Sequence, residues 1–394
     1  MNRHFNILYR ITVIAAAALT ALLIGAVILA AVGADILKVY LVILTEPLKN
    51  ISLVGEVLIR AIPLTIIALG ISTAYRSGFI NIGAEGQMAM GIIASTATAL
   101  ALPDLPRPIL LSLMLLAGCA GGAAWGFIPG LLRAKLEVSE LLSTVMLNYI
   151  AAQLYTFCLR GPMIDPAELT LGGVGTPQSM RLTRNAWLDR IIGGTRLHTG
   201  IFIALVLALV VWLLLWKTSF GFKLRAAGAQ DRAARYGGIN VASCLIISIS
   251  ISGALAGLAG AVEIAGVHHR AIEGITGGYG FSGIVVALFG GLHPAGIIPA
   301  AFFFGLLIVG ADMTQRMVGV PANMVQVLQG IIILVIIAAR MILENPYLME
   351  RARRKFTGKR AARAEARPGA AEGAASAGAA ENGTKRTEIP EERS

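Results

Sequence analysis

The stretch TVIAAAALTALLIGAVILAAVG, residues 12–33, decides the fold class because it contains no charged residue over its whole length. A helix that crosses the hydrocarbon core of a bilayer needs about 20 apolar residues. Residues 199–216 and 323–339 are also uncharged. A soluble helical core, the alternative, would need charged positions every few residues. The sequence therefore predicts an all-α polytopic membrane protein.

The composition of the whole chain agrees with this prediction. Of its 394 residues, 56% are hydrophobic and only 14% are charged, whereas about a quarter of a soluble domain is charged. The span 281–292 is short and is followed by His293 and Pro294, so it could be a re-entrant or broken helix. We predict a transmembrane domain over residues 1–350 with ten spans, at about 12–33, 53–74, 79–101, 108–132, 138–159, 199–216, 241–267, 281–292, 295–312 and 323–343.

Basic residues predict the orientation of the chain, since cytoplasmic loops are enriched in Lys and Arg. The loop 217–240 contains five basic residues and one acidic residue. The N-terminal segment carries Arg3 and Arg10, and a basic run follows residue 350. Ten crossings place all three regions on one side. We therefore expect both termini in the cytoplasm and the loop 160–198 outside.

The C-terminal segment 351–394 differs from the rest of the chain. It begins with a basic run and continues with Ala, Gly, Glu, Lys and Arg. Such a composition cannot bury enough apolar surface to offset the entropy of ordering. We predict a disordered cytoplasmic tail whose basic start binds anionic lipid headgroups. Nucleic acid is not expected as a partner, because the positive-inside rule accounts for the same residues.

Signatures of catalysis and of cofactor binding are missing from the sequence. Cys119, Cys158 and Cys244 lie in apolar segments and form no CxxC pair, and the five histidines are scattered. There is no GxxxxGK[ST] loop to hold the phosphates of ATP, and neither GxSxG nor HExxH occurs. We predict no enzyme activity, no metal site and no cofactor.

Residues 76–91, RSGFINIGAEGQMAMG, place Asn81, Glu85 and Gln87 among glycines between two apolar runs. An ionisable side chain at membrane depth is costly without a partner or a cavity. Non-helical backbone is tolerated there where it is buried in protein or lines a water-filled cavity. One interpretation is a broken helix beside a translocation path. The other is that Glu85 pairs with a cation and only fixes the packing.

Residues 138–151, VSELLSTVMLNYIA, carry a polar stripe on one helix face. Glu140, Thr144 and Asn148 are spaced by four residues and therefore share that face. Such a stripe suits either a lumen, which we favour slightly, or hydrogen bonds between helices. Glu140, near the predicted cytoplasmic end, could instead face the headgroups.

Two further places in the second half of the chain carry polar or interrupted sequence. Glu263 is a lone carboxylate in AGAVEIAG, where it could line a path or serve as a structural hydrogen-bonding partner. Residues 278–296, GYGFSGIVVALFGGLHPAG, are interrupted by glycine in the same way as residues 76–91. Interrupted apolar segments in the two halves of a transporter point to a central binding site.

The loop 217–240, KTSFGFKLRAAGAQDRAARYGGIN, is long enough for a short helix of two or three turns that ends at two glycines. It could be the docking surface of a peripheral partner or simply a solvated basic loop. The candidate docking residues are Arg225, Ala227, Gly228, Asp231, Arg235, Tyr236 and Gly238.

Four motifs together resemble the permease subunits of bacterial ABC importers: GFINIGAEGQMAMG, VSELLSTVMLNYIA, FKLRAAGAQDRAARYGGIN and GYGFSGIVVALFGGLHPAG. The resemblance covers about residues 50–343. It is to the superfamily that includes branched-chain amino acid and simple-sugar permeases, and NIGAEGQ and LNYIA look like its nucleoside branch.

This resemblance implies a partner set and a location. A permease dimer, of two identical or two different chains, would lie in the bacterial inner membrane. An ATP-binding cassette ATPase would grip residues 225–239 as a coupling helix, and an extracytoplasmic binding protein would deliver the substrate. Asn81, Glu85 and Gln87 would face the path or support the segment that shapes it.

Other functions remain open at this point. A simple sugar such as ribose or a branched-chain amino acid could replace the nucleoside. An ion-coupled secondary transporter is the alternative from another class, with Glu85 or Glu263 as the coupling carboxylate. Such a transporter would need no ATPase at the loop 217–240.

Overall fold

The computed structural model describes residues 3–170 and 177–321, together with the helical residues 324, 327, 330, 331, 334, 335, 338 and 339. The segment 351–394, for which we predict a disordered tail, lies outside the described residues. The described chain is helical, which confirms the all-α fold class.

In the part of the chain that the structure describes, six helices are long and apolar enough to cross a membrane, so the prediction of a polytopic membrane protein is confirmed. The predicted span 12–33 corresponds to the C-terminal part of α1, Arg3–Ala31. A shorter helix, α2, follows at Ile36–Thr45. The six spanning helices are α3 (Ile51–Arg76), α5 (Arg107–Leu136), α6 (Glu140–Arg160), α8 (Gly200–Lys217), α11 (Val241–Glu263, extended by a π-helical turn to His268) and α13 (Pro294–Val318).

Two predicted spans are helical over only part of their course. The predicted span 79–101 begins as non-helical backbone and becomes α4 at Ala84–Ala101. The predicted span 281–292 forms α12, Tyr279–Phe289. At 1.5 Å per residue, α12 is about 16 Å long and cannot cross a hydrocarbon core of about 30 Å alone. It is thus the second half of an interrupted crossing.

The loop 217–240 forms two helices, α9 (Ser219–Ala229) and α10 (Asp231–Tyr236), rather than the single short helix that we predicted. Gln230 has extended backbone, with φ −159° and ψ 103°, and this residue separates the two helices. The helical segment ends at glycine, as the sequence predicts, and Gly238 has φ +76°. A short helix, α7, lies in the loop between α6 and α8, at Pro166–Thr170.

Side-chain contacts define the two ends of the bundle within residues 25–330. At the basic end, which carries α9 and α10, Arg76 Nη2 donates to the carbonyl of Leu292 (3.1 Å). At the opposite end, Arg107 pairs with Asp189 (2.6 Å). The chain alternates between these ends through α3, residues 77–101, α5, α6, α8, α11, residues 274–289 and α13.

Glycines bring the central helices into backbone contact. A Cβ atom on Gly91 of α4 would lie 2.2 Å from the Cα of Gly257 in α11, and one on Gly122 of α5 would lie 2.1 Å from the carbonyl oxygen of Gly253. Small residues permit such close approach in membranes, where water supplies no force that drives helices together. The result is a tightly packed group formed by α4, α5 and α11.

Candidate functional site: the junction of two interrupted crossings

A network of side-chain amides stabilises the non-helical backbone of the first interrupted crossing, residues 77–101. Asn81 Nδ2 donates to Gln87 Oε1 and to Ser252 Oγ of α11, both at 2.9 Å. Asn81 Oδ1 accepts from the backbone N–H of Gly83 at 2.8 Å. Asn81 is 2% exposed and Gln87 is 1% exposed. Both predicted residues therefore support the non-helical segment from within the protein.

The polar stripe of α6 completes this support. Asn148 Oδ1 accepts from the N–H of Gly86, and its Nδ2 donates to the carbonyl of Ile82, both at 2.9 Å. Backbone groups that lose their helical partners at membrane depth must be satisfied by other groups of the protein. Thr144 lies against Gly83, where an added Cβ would meet the Thr144 Cβ at 3.1 Å. Asn148 thus forms hydrogen bonds between segments, the second of the two interpretations of the stripe.

Glu140 lies away from the junction. Its Oε2 is 3.1 Å from Nε of Arg133, so the carboxylate bridges α5 and α6 at the basic end. It is also in the first turn of α6, where the helix dipole favours a negative charge. A position of Glu140 near the headgroups stays a prediction.

Glu85 joins the first crossing to the second, residues 274–289. Its Oε1 accepts from the N–H of Gly278 (3.0 Å) and its Oε2 accepts from the N–H of Gly280 (2.7 Å), across 193 and 195 residues of sequence. These donors lie at the start of α12, where a helix presents unpaired N–H groups and a partial positive charge. The two segments share only their glycine interruptions in the sequence, and in the structure they contact each other directly.

The approach of the two segments leaves no space for a side chain at the contact. A Cβ on Gly280 would lie 2.2 Å from the backbone nitrogen of Glu85. Gly278 has φ +77°, a conformation that favours glycine. In the described residues no Lys or Arg forms an ion pair with Glu85. Its partners are the backbone N–H groups at the start of α12 and the side chain of Thr276, and the cation of our structural interpretation is not found among those residues.

Glu263 belongs to a second polar cluster, closer to the opposite end. Its side chain is 1% exposed, and its Oε1 lies 3.5 Å from His268 Nε2. Arg60 of α3 is within Coulomb range of Glu263 and of Asp312 in α13. Arg60 Nη1 also donates to Tyr279 Oη at 2.8 Å. This cluster connects α3, α11, α12 and α13.

Arg60, Tyr279 and Asp312 were not among the residues predicted from the sequence. A signal for Arg60 was present, because it is the only Lys or Arg inside the predicted span 53–74. A buried cation in such a span requires an anionic or hydrogen-bonding partner. Tyr279 and Asp312 could be recognised only by their proximity to Arg60, which needs the three-dimensional fold.

The candidate docking residues divide into two groups. Ala227 is buried, and Gly228 packs on the end of α3, where an added Cβ would lie 2.3 Å from the carbonyl oxygen of Arg76 and 2.7 Å from the nitrogen of Gly78. Arg225 lies 6.0 Å from the ring centroid of Trp216. The other four residues, Asp231, Arg235, Tyr236 and Gly238, are exposed, Tyr236 to 94%.

The loop between α6 and α8 binds the residues that immediately precede the second crossing, at the opposite end of the bundle. The N–H of Ser179 donates to the carbonyl of Ala271, and the N–H of Leu182 donates to the carbonyl of His269, both at 2.8 Å. The His269 ring stacks on Trp187 with the ring centroids 3.8 Å apart. Burial, helped by the charges of Arg181 and Arg190, lowers the pKa of His269 from 6.5 to about 4. The histidine is therefore neutral at pH 7.

Comparison with known proteins gives a consistent assignment. Residues 53–337 match the family described as branched-chain amino acid transport system / permease component. This match includes both interrupted crossings, the polar stripe of α6, and the helices α9 and α10.

Individual relatives cover most of the chain. It is 37% identical over 311 residues to the guanosine ABC transporter permease protein NupP of Bacillus subtilis, which covers 79% of this chain and 88% of the relative. It is 35% identical over 329 residues to the nucleoside ABC transporter permease protein NupB of Lactococcus lactis (82% and 89%). A glucose ABC transporter permease protein, TsgB13 of Haloferax volcanii, is 35% identical over 332 residues (82% and 85%).

Proposed function

Because the chain belongs to the permease component family of the branched-chain amino acid transport system, we propose that it is the membrane-spanning subunit of an ATP-driven importer of nucleosides. The observation that carries the substrate class is similarity to two permeases named for guanosine and for nucleosides, at 37% and 35% identity over most of the chain. The equally similar glucose permease makes a simple sugar the alternative substrate.

The junction at Glu85 supports transport by alternating access. Two interrupted helices that meet within the membrane are the arrangement in which transporters expose backbone groups to a substrate. Ile80 and Phe281, which neighbour Asn81 and Gly280 in the sequence, are 40% and 48% exposed. In our proposal Glu85 borders the path. Asn81, Gln87, Thr144 and Asn148 hold its wall, and Glu140 and Glu263 fix the helix ends around it.

Energy would enter through α9 and α10. We propose that an ATP-binding cassette ATPase docks on the exposed residues Asp231, Arg235, Tyr236 and Gly238. ATP would be hydrolysed in that separate subunit. Gly228 contacts the backbone at Arg76 and Gly78, where the first interrupted crossing begins. A displacement of α9 would thus act directly on the segment that Asn81 holds.

The remaining partners follow from the same proposal. A second permease subunit would complete the path, and a substrate-binding protein would deliver nucleoside at the opposite end. The basic end and both termini would face the cytoplasm of a bacterial cell, with the complex in the inner membrane.

Uptake of labelled guanosine and labelled ribose tests the substrate class. The chain would be expressed with a candidate ATPase and a candidate binding protein from the same organism, and compared with a strain that lacks only this gene. Gene-dependent guanosine uptake that stops on ATP depletion is expected. Uptake of ribose alone would move the chain to the sugar branch. Uptake that survives ATP depletion but collapses with an uncoupler would instead identify a secondary transporter.

The coupling contact gives a first prediction. Gly228→Ala places a methyl group against the backbone of residues 76–78, and we expect uptake to fall about tenfold or more, since tight cores respond to a single added methyl. The ATPase should still copurify, because the exposed residues of the loop are unchanged. Gly237→Ala is the matched control, because its Cβ has ordinary contact distances of 3.4 Å and above. Equal uptake by the two variants would contradict the coupling route.

A further inference from the structure

The end of α8 and the start of α9 are packed together as one unit. A Cβ on Gly221 of α9 would lie 2.1 Å from the carbonyl oxygen of Leu214 and 2.6 Å from the Cα of Leu215 in α8. Thr218, between the two helices, accepts from the N–H of Gly221 (3.0 Å) and donates to the carbonyl of Leu214 (2.6 Å). These contacts restrict the turn, so Trp216 in the last turn of α8 should move together with α9.

Trp216 contacts side chains from three other helices. The guanidinium carbon of Arg76, the last residue of α3, lies 5.2 Å from the centroid of its ring, and that of Arg225 in α9 lies 6.0 Å from it. The ring of His293, which caps the start of α13, has its centroid 4.7 Å away. The face of an aromatic ring attracts cations, and more strongly where water is partly excluded. One ring therefore joins the ends of α3, α8, α9 and α13.

Two of these contacts lead to the end of the second crossing. Arg76 Nη2 donates to the carbonyl of Leu292 (3.1 Å), and the N–H of Leu292 donates to the carbonyl of Ala287 in α12 (2.8 Å). His293 follows directly, and its Nδ1 accepts from the N–H of Ala295 (3.2 Å). Leu292 has φ +54°, which a bulky residue adopts only where its surroundings determine it. The turn that closes the second crossing is thus held from the side of Trp216.

The docking helix α9 reaches both crossings from one face. Arg225 and Gly228 are three residues apart and are therefore neighbours on that face. Gly228 contacts the backbone of Arg76 and Gly78, where the first crossing begins. Arg225 Nε is buried and has no hydrogen-bond partner among the described residues, so the contact with Trp216 counts for more than it would at a solvated arginine.

We propose that Trp216 is a positioning residue that transmits a displacement of α9 to the second crossing. The same displacement acts on the first crossing through Gly228, so one movement of the docking helix reaches both. The role of α9 as the docking helix rests on the proposed function. The connection through Trp216 rests only on contacts within this chain, and the two can be tested separately.

Thermal unfolding of the purified chain in detergent tests the connection without transport. Arg225→Met and His293→Asn each remove one contact with Trp216, and asparagine can still cap α13. Variants at sites that share no partner usually have additive effects. We expect the midpoint of the double variant to differ from the sum of the two single shifts, and the shifts to become additive when Trp216→Leu is present.

The matched control replaces Arg225 with Lys217, which lies 5.6 Å from the ring of a different residue, Trp212. Lys217→Met and His293→Asn should therefore be additive in the native background. Additive shifts for Arg225→Met and His293→Asn would overturn the inference. Non-additive shifts that persist with Trp216→Leu would also overturn it, because the connection would then bypass the ring.

The ratio of transport to ATP hydrolysis provides the functional readout. In vesicles that contain the permease, its ATPase and its binding protein, Trp216→Leu should lower the guanosine transported per ATP hydrolysed about tenfold. Trp216→Phe keeps an aromatic face and should restore part of the ratio. Trp212→Leu removes a similar ring one turn earlier in α8 and should leave the ratio unchanged.

Two results would overturn this role of Trp216. One is an unchanged ratio in Trp216→Leu, and the other is a parallel fall in uptake and hydrolysis, which would mean that the ring only supports the fold. If the wild-type complex moves no nucleoside, the proposed function fails, whereas the unfolding measurements still decide whether Trp216 connects α9 to the second crossing.

Discussion

The two interrupted crossings, residues 77–101 and residues 274–289, solve the same problem with different chemistry. In the first, the non-helical backbone is satisfied by side-chain amides from Asn81 and from Asn148 of α6. In the second, the backbone turns on glycines with positive φ, at Gly274, Gly277 and Gly278. The N–H groups that begin α12 are satisfied by one carboxylate, which belongs to the first crossing.

From this difference we predict that the second crossing moves relative to the first. The first crossing is fixed at several points by neutral hydrogen bonds to α6 and α11. Among the described residues no such amide supports the break of the second crossing, where Glu85 binds the backbone and Arg60 of α3 donates to Tyr279. Motion between the two crossings would therefore break few interactions, and these are concentrated at the contact between Glu85, Gly278 and Gly280.

The strongest test of the comparison is to separate the two crossings sterically. Gly280→Ala places a Cβ 2.2 Å from the backbone nitrogen of Glu85, and a helix backbone cannot rotate away as a side chain could. We expect the free energy of unfolding to fall by about 3 kcal/mol, which is at the upper end of the range for overpacking. The measurement is the thermal midpoint of the purified protein in detergent, together with uptake. Gly193→Ala is the control because nothing lies within 4 Å of its added Cβ; equal midpoints would refute the close contact.

Removal of the charge at the contact should have the next largest effect. Glu85→Gln keeps the shape of the side chain but points an amide NH₂ at one of two N–H donors. Since hydrogen bonds to a charged group contribute about 1.5–3 kcal/mol, we expect a destabilisation of about 2 kcal/mol and a marked loss of uptake. Glu56→Gln breaks an exposed pair with Arg196 and should cost less than about 1 kcal/mol. A Glu85→Gln variant as stable and active as wild type would show that the crossings are held together elsewhere.

Loss of one amide from the first crossing should cost less, because its support is distributed. Asn81→Ala removes hydrogen bonds to Gln87, Ser252 and Gly83, and we expect a destabilisation of about 1.5 kcal/mol. Uptake should fall while the ATPase continues to copurify, because the amide network is remote from the exposed docking residues. Asn185→Ala, which removes a single bond to the carbonyl of Leu105, should cost about 1 kcal/mol. Normal uptake by both Asn81→Ala and Gln87→Ala would argue against any role of this network in transport.

Sequence alone predicted the membrane class and the position of both interruptions, because a polar side chain or a glycine within an apolar run violates a simple rule and is therefore visible in the sequence. It also singled out Asn81, Glu85 and Asn148, whose roles in transport stay predictions. Sequence did not distinguish a residue that lines a path from one that supports its wall. Asn81 and Gln87 are compatible with both roles until their hydrogen-bond partners are known.

Contacts between distant segments were beyond sequence reasoning for a physical reason. The backbone partners of Glu85 are N–H groups, which every residue except proline carries. Residue type therefore cannot identify them. The break at Gln230 that divides α9 from α10 is likewise a backbone conformation at a residue with no strong preference for it. Arg60 is different, since a lone arginine in an apolar span was visible and should have been included among the candidates.

The smallest expected effect concerns the anchors of the two crossings. The first crossing begins against Gly228, a contact with no titratable group, whereas the second is anchored through His269, whose pKa is lowered to about 4. Between about pH 6.5 and pH 4 the unfolded chain binds a proton at this position and the folded chain does not. Stability contributed by neutral His269 is therefore complete above about pH 6.5 and is lost as the pH falls towards 4.

A pair of variants isolates this contribution. His269→Phe keeps a ring against Trp187 but cannot be protonated, so its thermal midpoint should fall less than that of wild type between pH 6.5 and pH 4.5. His293→Phe, at the basic end beside Trp216, should retain the wild-type dependence on pH. If His269→Phe and wild type show parallel midpoints across this range, protonation of His269 does not weaken the anchor. The two crossings would then differ only at their junction, where Glu85 meets the start of α12.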